Sequence, residues 1–470
     1  MPEKYVIHTH PVPNRFKPIA RSGVIAWEEG CLRCAVCVKE KCVYDVYYKR
    51  GLDARYMTDS IDNLCMNCYR CVQGCPKELI QKSVNPEFTA MGDSFFTPAI
   101  IARLWYQAET GKIPVSGAGY PGPFCGPGFD SIWTDMSEIV RPTRDGIHGR
   151  EYISTSVDLG RPSDFLLLDD AGNMVEEPPV LVDIPMPILL KVPPFGNINH
   201  TTFLGWATAA MKLGTMLACS LEQLSVLPRE LHPWLIPLLD MDSLNPESIP
   251  KGVRIVELVK NDGWEDNLAK IKSTFSDLLV CIRIPMKQGM EKEALILANA
   301  GADIIHLQRE EALTADEKAS EEFGPRHVKE GIRSVHMALV DANIRNNVTL
   351  IASGGFAMAE HVPKALLCGA DAVFSEFQLL IALQCRMCRR CVSGLSCPVD
   401  IGGASAKWVT ARVINLFGAW HNQLLEVMGA MGIREARRLR GEVGRAMFYE
   451  DLDEATFGSL GSVGEGFELE

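Results

Sequence analysis

From Val180 onward the chain alternates short, continuously apolar runs with stretches of 3.6-residue periodicity. The apolar runs are Ile188–Val192, Thr215–Cys219, Trp234–Leu238, Val253–Val259, Leu278–Ile284, Asp303–Gln308, Thr349–Ser353 and Ala372–Ser375. Residues 326–346 and 357–367 carry the helical pattern between runs. Strands apolar on both faces and alternating with helices predict a parallel sheet covered by helices. Eight such units in roughly two hundred residues predict a (β/α)8 barrel. A long amphipathic helix follows, with Val409, Val413, Phe417, Trp420, Leu424, Val427 and Met431 on its apolar stripe.

The chain before Val180 reads differently. Residues 20–85 have few apolar runs and many cysteines, so they cannot build a sufficient core unaided. Gly117–Ser131 is too rich in Gly and Pro for regular structure, and the segment to about 178 reads as irregular. The expected organisation is an α/β chain with a ferredoxin-like module over 1–90 and an irregular connector over 91–178. A TIM-type barrel over 179–384 follows, then a third cysteine site with a helical extension and tail over 385–470. The tail from Glu450 is expected to be mobile or a docking strap.

Twelve of the sixteen cysteines fall into three spaced sets. The first is Cys31, Cys34, Cys37 and Cys42, the second Cys65, Cys68, Cys71 and Cys75, and the third Cys385, Cys388, Cys391 and Cys397. Three thiolates at three-residue intervals plus a more distant fourth suit an iron–sulfur cube, with Pro76 and Pro398 turning the chain away. Zinc ribbons use two C-x2-C pairs instead. In two-cluster ferredoxins the fourth cysteine of each run serves the other cluster. That predicts one cube on Cys31, Cys34, Cys37 and Cys75, and another on Cys65, Cys68, Cys71 and Cys42. Cys125, Cys219, Cys281 and Cys368 stand alone and read as core residues.

Charge and hydropathy narrow the setting. Lys+Arg 47 against Asp+Glu 59 gives a net charge of −12, which argues against a nucleic-acid partner. The basic run Arg434 to Arg440, placed in the C-terminal helix, reads as a solvated or docking face. Neither a secretory leader nor an apolar run of membrane-spanning length is evident, so a cytoplasmic chain without direct membrane insertion is expected.

The segment IASGGFAMAEHVPKALLCGADAVFSEFQLLIAL ends a strand in Ser353-Gly354-Gly355 and leads into the last strand. Loops after strands seven and eight of such barrels commonly bind phosphate; the alternative is a tight strand-to-helix turn. Together with IALQCRMCRRCVSGLSCPVDIG and LLEVMGAMGIREARRLRG, this segment resembles the flavin domain of glutamate synthases, particularly the archaeal stand-alone type with a ferredoxin module in front.

The resemblance implies FMN at the barrel mouth, near Phe195 and Gly196, with its phosphate at Ser353, Gly354, Gly355 and Ser375. It also implies a cluster on the third set. Cys388 adds a fourth ligand there, so a four-iron cluster is expected, with a three-iron form as the alternative. Several family features are missing. PPFGNINH replaces a flavin-lining stretch, a Gly-Glu-Gly-Gly substrate loop is absent, and LQREEALTADE replaces a Gly-rich stretch after the sixth strand. Arg283 stands at a Lys position, and Glu376 occupies the place of a small phosphate-binding residue.

Two readings follow. In one, the chain is an iron–sulfur oxidoreductase subunit relaying electrons between ferredoxin-type clusters and a third cluster or FMN. Its partners are then other redox subunits of ferredoxin, flavoprotein, or hydrogenase or dehydrogenase type. In the other, it is an FMN-dependent glutamate synthase-type enzyme that reduces an imine. Arg386, Arg389 and Arg390 flank the third set and are expected to raise that cluster's potential; the alternative is that they pair with Glu or Asp on the covering helix.

Overall fold

The computed structural model describes residues 5–26, 29–47, 61–113, 128–134, 153–163, 165, 167–175, 177–239, 246, 249–309 and 328–457. They form two compact units. One comprises Met1–Val12, Leu104–Leu383 and Arg389–Glu470, the other Pro13–Arg103 with Gln384–Cys388.

The larger unit holds a closed, all-parallel barrel of eight strands. They are β1 (Ile188–Lys191), β2 (Leu217–Ser220), β3 (Leu235–Leu239), β4 (Ile255–Val259), β5 (Leu279–Pro285), β6 (Ile304–Gln308), β7 (Thr349–Ser353) and β8 (Ala372–Ser375). β8 pairs back onto β1 through Val373↔Ile188 and Ser375↔Leu190, which closes the ring. All eight expected strands are present, each within two residues of the expected bounds or matching them.

The helices that accompany the strands are short: α1 (His200–Leu213), α2 (Leu221–Ser225), α3 (Trp264–Thr274), α4 (Met290–Ala300), α5 (Val328–Asp341), α6 (His361–Cys368) and, after β8, the wholly buried α7 (Phe377–Ala382). Asn199 caps α1 by accepting from the Thr202 amide, and Gly214 ends that helix in the left-handed conformation. α8 (Ala406–Met431) packs along α1 at Gly205, where an added Cβ would lie 2.6 Å from Val409. Its expected apolar stripe is buried at Val409, Val413, Phe417, Trp420, Leu424 and Met431. Among the described residues, no helix is long and apolar enough to cross a membrane.

Three expectations need correction. The stretch over 91–178 is not wholly irregular: Pro98–Thr110 is a helix, with Ile101, Leu104, Trp105 and Ala108 recurring on its buried side. The basic run 434–440 lies beyond α8, which stops at Gly432. Its arginines form ion pairs: Arg437 with Asp158 and Asp183, and Arg440 with Asp371. In the tail, Tyr449–Phe457 is helical. Cys125 and the tail beyond Phe457 lie outside the described residues. Cys219, Cys281 and Cys368 are buried, as expected.

In the smaller unit, strands Ser22–Ala26 and Ile80–Val84 pair antiparallel and bracket the first two cysteine sets. A small core joins Cys37, Cys65 and Cys71 to Val46, Tyr47 and Ile80, with Cys42 and Cys75 packed against it.

Candidate functional sites

Each cysteine set is wound in the same unusual way. The second residue after the first cysteine and the residue after the second cysteine are left-handed. These are Arg33 and Ala35, Asn67 and Tyr69, and Met387 and Arg389, all with φ between 53 and 58°. The third residue after the fourth cysteine repeats the device: Asp45 at 53°, Glu78 at 54° and Asp400 at 39°. Nine of the eleven non-glycine residues with positive φ among the described residues therefore belong to the cysteine sets. Each costs about 1–2 kcal/mol relative to ordinary backbone, so the surroundings must over-determine it.

The left-handed bends curl the backbone around the sulfurs. The Arg33 and Met387 amides, at equivalent positions, donate to Cys31 Sγ and Cys385 Sγ at 3.4 Å each. The Leu79 amide does the same for Cys75 at 3.4 Å, and Lys82 Nζ donates to Cys65 Sγ. Such N–H···S contacts stabilise thiolates. Cys31, Cys34, Cys37 and Cys75 line one cavity, so a cysteine from the second set faces three from the first. In the third set, Cys385 is buried, Cys388 exposed, and Cys391 and Cys397 half-buried. Cys385 and Cys388 belong to the smaller unit, and Cys391 and Cys397 to the larger.

Inside the barrel lies a polar network that the sequence reading singled out only at Arg283, Ser353, Ser375 and Glu376. Strand register builds it. Cys281 pairs with Glu257 and Arg283 with His306, which puts all four on one face. His306 Nδ1 hydrogen-bonds the Glu257 carboxylate, and its Nε2 lies 2.7 Å from Ser353 Oγ. Arg283 approaches the second Glu257 oxygen at 3.9 Å. Glu257, His306 and Ser353 are at most 2% exposed.

Burial alone would raise the Glu257 pKa, but His306, Arg283 and Lys191 outweigh it and hold the carboxyl down at about 2. Burial lowers His306 to about 4, against the pull of Glu257, so the ring is neutral near pH 7. A neutral ring donates from Nδ1 to the carboxylate and accepts at Nε2 from the Ser353 hydroxyl. Donor atoms of Glu257, Cys281 and His306 lie within 4.8 Å of one another, a spacing a metal ion could use. Burial and Glu257 raise the Cys281 thiol well above its ordinary pKa, and Arg283 and Lys191 already act on the carboxylate. Glu257, His306 and Ser353 form a hydrogen-bonded chain, with Arg283 beside the carboxylate.

At the β8 end, the Ser375 hydroxyl donates to Gln378 Oε1 at 2.9 Å and the Glu376 amide to the same oxygen at 3.0 Å. Gln378 Nε2 donates to the Phe356 carbonyl. Glu376 pairs with Lys191, at the end of β1, at 3.5 Å. Burial pushes the Glu376 carboxyl up, and Lys191 opposes it. Gly354 and Gly355 are left-handed at φ +81 and +75°. A Cβ on Gly354 would meet the Arg309 carbonyl at 2.7 Å, so glycine is required there. Phe195 stacks on Phe377 at 5.2 Å, and Gly196 sits against Leu380. Of the substituted stretches, most of LQREEALTADE lies outside the described residues.

The eight parallel strands, their helices and the charged centre inside the ring define a TIM-type barrel protein. Residues 253–434 match the conserved region in glutamate synthase. The archaeal-type glutamate synthase (NADPH) of Dehalococcoides mccartyi is 24% identical over 479 residues, covering 88% of this chain and 92% of that protein. The archaeal glutamate synthase (NADPH) of Archaeoglobus fulgidus is 25% identical over 518 residues, covering 97% and 98%. That of Methanocaldococcus jannaschii is 25% identical over 483 residues, covering 87% and 92%. Among solved structures, a mandelate oxidase mutant with a monooxide FMN adduct matches at TM-score 0.41 and 13% identity. It covers 75% of this chain and 93% of that one, a score too low to bear on function. The chain is similar to the glutamate synthases over most of its length and to their conserved region over residues 253–434.

Proposed function

We propose that this chain is an iron–sulfur oxidoreductase subunit, a relay that passes single electrons to and from other redox proteins in the cytoplasm. The left-handed winding repeated around all three cysteine sets carries this reading. One cube would be held by Cys31, Cys34, Cys37 and Cys75, whose shared cavity supports the crossed ligand pattern. A second would be held by Cys65, Cys68, Cys71 and Cys42, and a third by Cys385, Cys388, Cys391 and Cys397. When bound, such cubes accept and release one electron each.

This chain's own residues set the conditions for that transfer. The Arg33, Leu79 and Met387 amides stabilise thiolate sulfur, and Lys82 places a positive charge on Cys65. Both effects favour the more negative, reduced cluster and raise its potential.

A second reading, FMN-dependent glutamate synthesis, is favoured by the names of the full-length relatives and by the Gly354–Gly355 turn. Replacing Cys75 with Ser separates the crossed ligand pattern from an uncrossed one. Under crossing, the perturbed electron paramagnetic resonance signal is the one that Cys34→Ser also perturbs, and Cys68→Ser leaves it intact. The same signal lost in Cys75→Ser and Cys68→Ser, with the Cys34→Ser signal separate, would refute the crossing.

A further inference from the structure

A phosphate dianion is held by donors: hydroxyls, backbone N–H groups and cations converging on its oxygens. In barrels of this kind the loops after the seventh and eighth strands supply them. Here both strand-end serine hydroxyls and the Glu376 amide are spent on the protein itself. The Ser353 hydroxyl is turned to His306 Nε2 at 2.7 Å, where a neutral imidazole needs a donor. The Ser375 hydroxyl and the Glu376 amide both end on Gln378 Oε1. The Gln378 amide nitrogen is anchored on the Phe356 carbonyl, which fixes the side chain in place. Ser353, Ser375 and Gln378 are at most 2% exposed, so water offers no replacement partners.

Lys191, at the end of β1, is also engaged. Lys191 Nζ faces the Glu376 carboxylate, and the two side chains are only 11% and 14% exposed. A phosphate brought here would have to displace an acceptor-bearing side chain and break a nearly buried ion pair. The two serine hydroxyls, the Glu376 amide and Lys191 would each have to leave a present partner, at a cost in desolvation and like-charge repulsion.

We propose that the barrel's phosphate cradle is filled by its own side chains, Gln378 standing in for the phosphate oxygens and Glu376 for its charge, so that the chain does not retain FMN. The Glu376–Lys191 pair then joins strand β1 to the end of β8 across the ring's closing seam, a structural task in place of a binding one. This deepens the relay reading and rests on it, since electrons must then travel through clusters alone.

The test is FMN titration of the anaerobically purified full chain, followed by quenching of flavin fluorescence, with iron and sulfide measured on the same samples. Wild type is expected to release no flavin on denaturation and to quench none. Glu376→Ser frees Lys191, and Glu376→Ser with Gln378→Gly also frees the Ser375 hydroxyl and the amide at position 376. The double variant is expected to bind FMN at least about tenfold more tightly than wild type, the gain of roughly one charge-assisted hydrogen bond. Wild type carrying FMN near one per chain overturns the proposal. So does a double variant with wild-type iron content and melting temperature that gains no FMN affinity. Because iron is counted separately, a failed relay reading shows as lost iron, whatever the flavin result.

Discussion

Replacing Glu257 with Gln tests whether the barrel centre is a charge network or a set of neutral contacts. The carboxylate is 2% exposed, accepts from His306 and faces Arg283 at 3.9 Å. Removing one charge of a buried pair leaves the other uncompensated and costs about 3–5 kcal/mol. Arg283 keeps 16% of its side chain exposed, so the lower end applies, about 3 kcal/mol. For a unit of this size, where each kcal/mol moves the midpoint by about 2 °C, that is a fall in melting temperature of roughly 6 °C.

The sign of the pH dependence is fixed by the two shifts. Glu257 and His306 both have folded pKa values below their unfolded ones. Each therefore contributes stability that is full above its unfolded value and is lost as pH falls through the folded one. For His306 the window runs from 6.5 down to about 4, and for Glu257 from 4.5 towards about 2. Since protonated Glu and Gln are both neutral, the gap between wild type and Glu257→Gln narrows as pH drops below 4.5. Thermal unfolding by circular dichroism under anaerobic conditions at a series of pH values reads both effects. A variant within about 1 °C of wild type at neutral pH refutes the network, as does a gap independent of pH.

Arg412 is fully buried in α8, and its guanidinium donates to the Ala382, Val12 and Trp105 carbonyls. Arg412→Leu strands these acceptors and is expected to cost at least about 3 kcal/mol, read as a lowered urea midpoint; an unchanged midpoint contradicts it. In redox titrations followed by electron paramagnetic resonance, the third cluster is expected above at least one of the other two. Arg386→Ala is expected to lower it, and a third cluster lowest in wild type sinks that view.

Much of the fold was legible because parallel barrel strands are buried on both faces and so leave unbroken apolar runs. Thr349–Ser353 and Ala372–Ser375 could be bounded to the residue. The barrel's inner chemistry was not. Glu257, His306 and Lys191 look like stray polar residues until strand register sets Cys281 against Glu257 and Arg283 against His306. The signal was present as charged residues inside runs such as IVELV and IIHLQ, where a both-sides-buried strand should carry none. Gln378 had no sequence signature, since its role depends on one side-chain placement over Phe356.

Around the cysteines the spacing pointed to candidate ligands but not to the winding. Arg33, Tyr69 and Met387 are residue types that do not announce a left-handed backbone. The Arg434–Arg440 run, read as part of the helix, departs from it because Gly432 takes the left-handed cap that ends α8. Those arginines then reach back to Asp158, Asp183 and Asp371, contacts distant in sequence that periodicity cannot foresee.

The central claim is that three cysteine sets hold three clusters in a chain that relays electrons. Iron and acid-labile sulfide measured per chain in anaerobically purified protein test it most directly. The account predicts about twelve of each, four per set. About eight would remove the third four-iron cluster, and a protein without iron or sulfide would contradict the relay altogether.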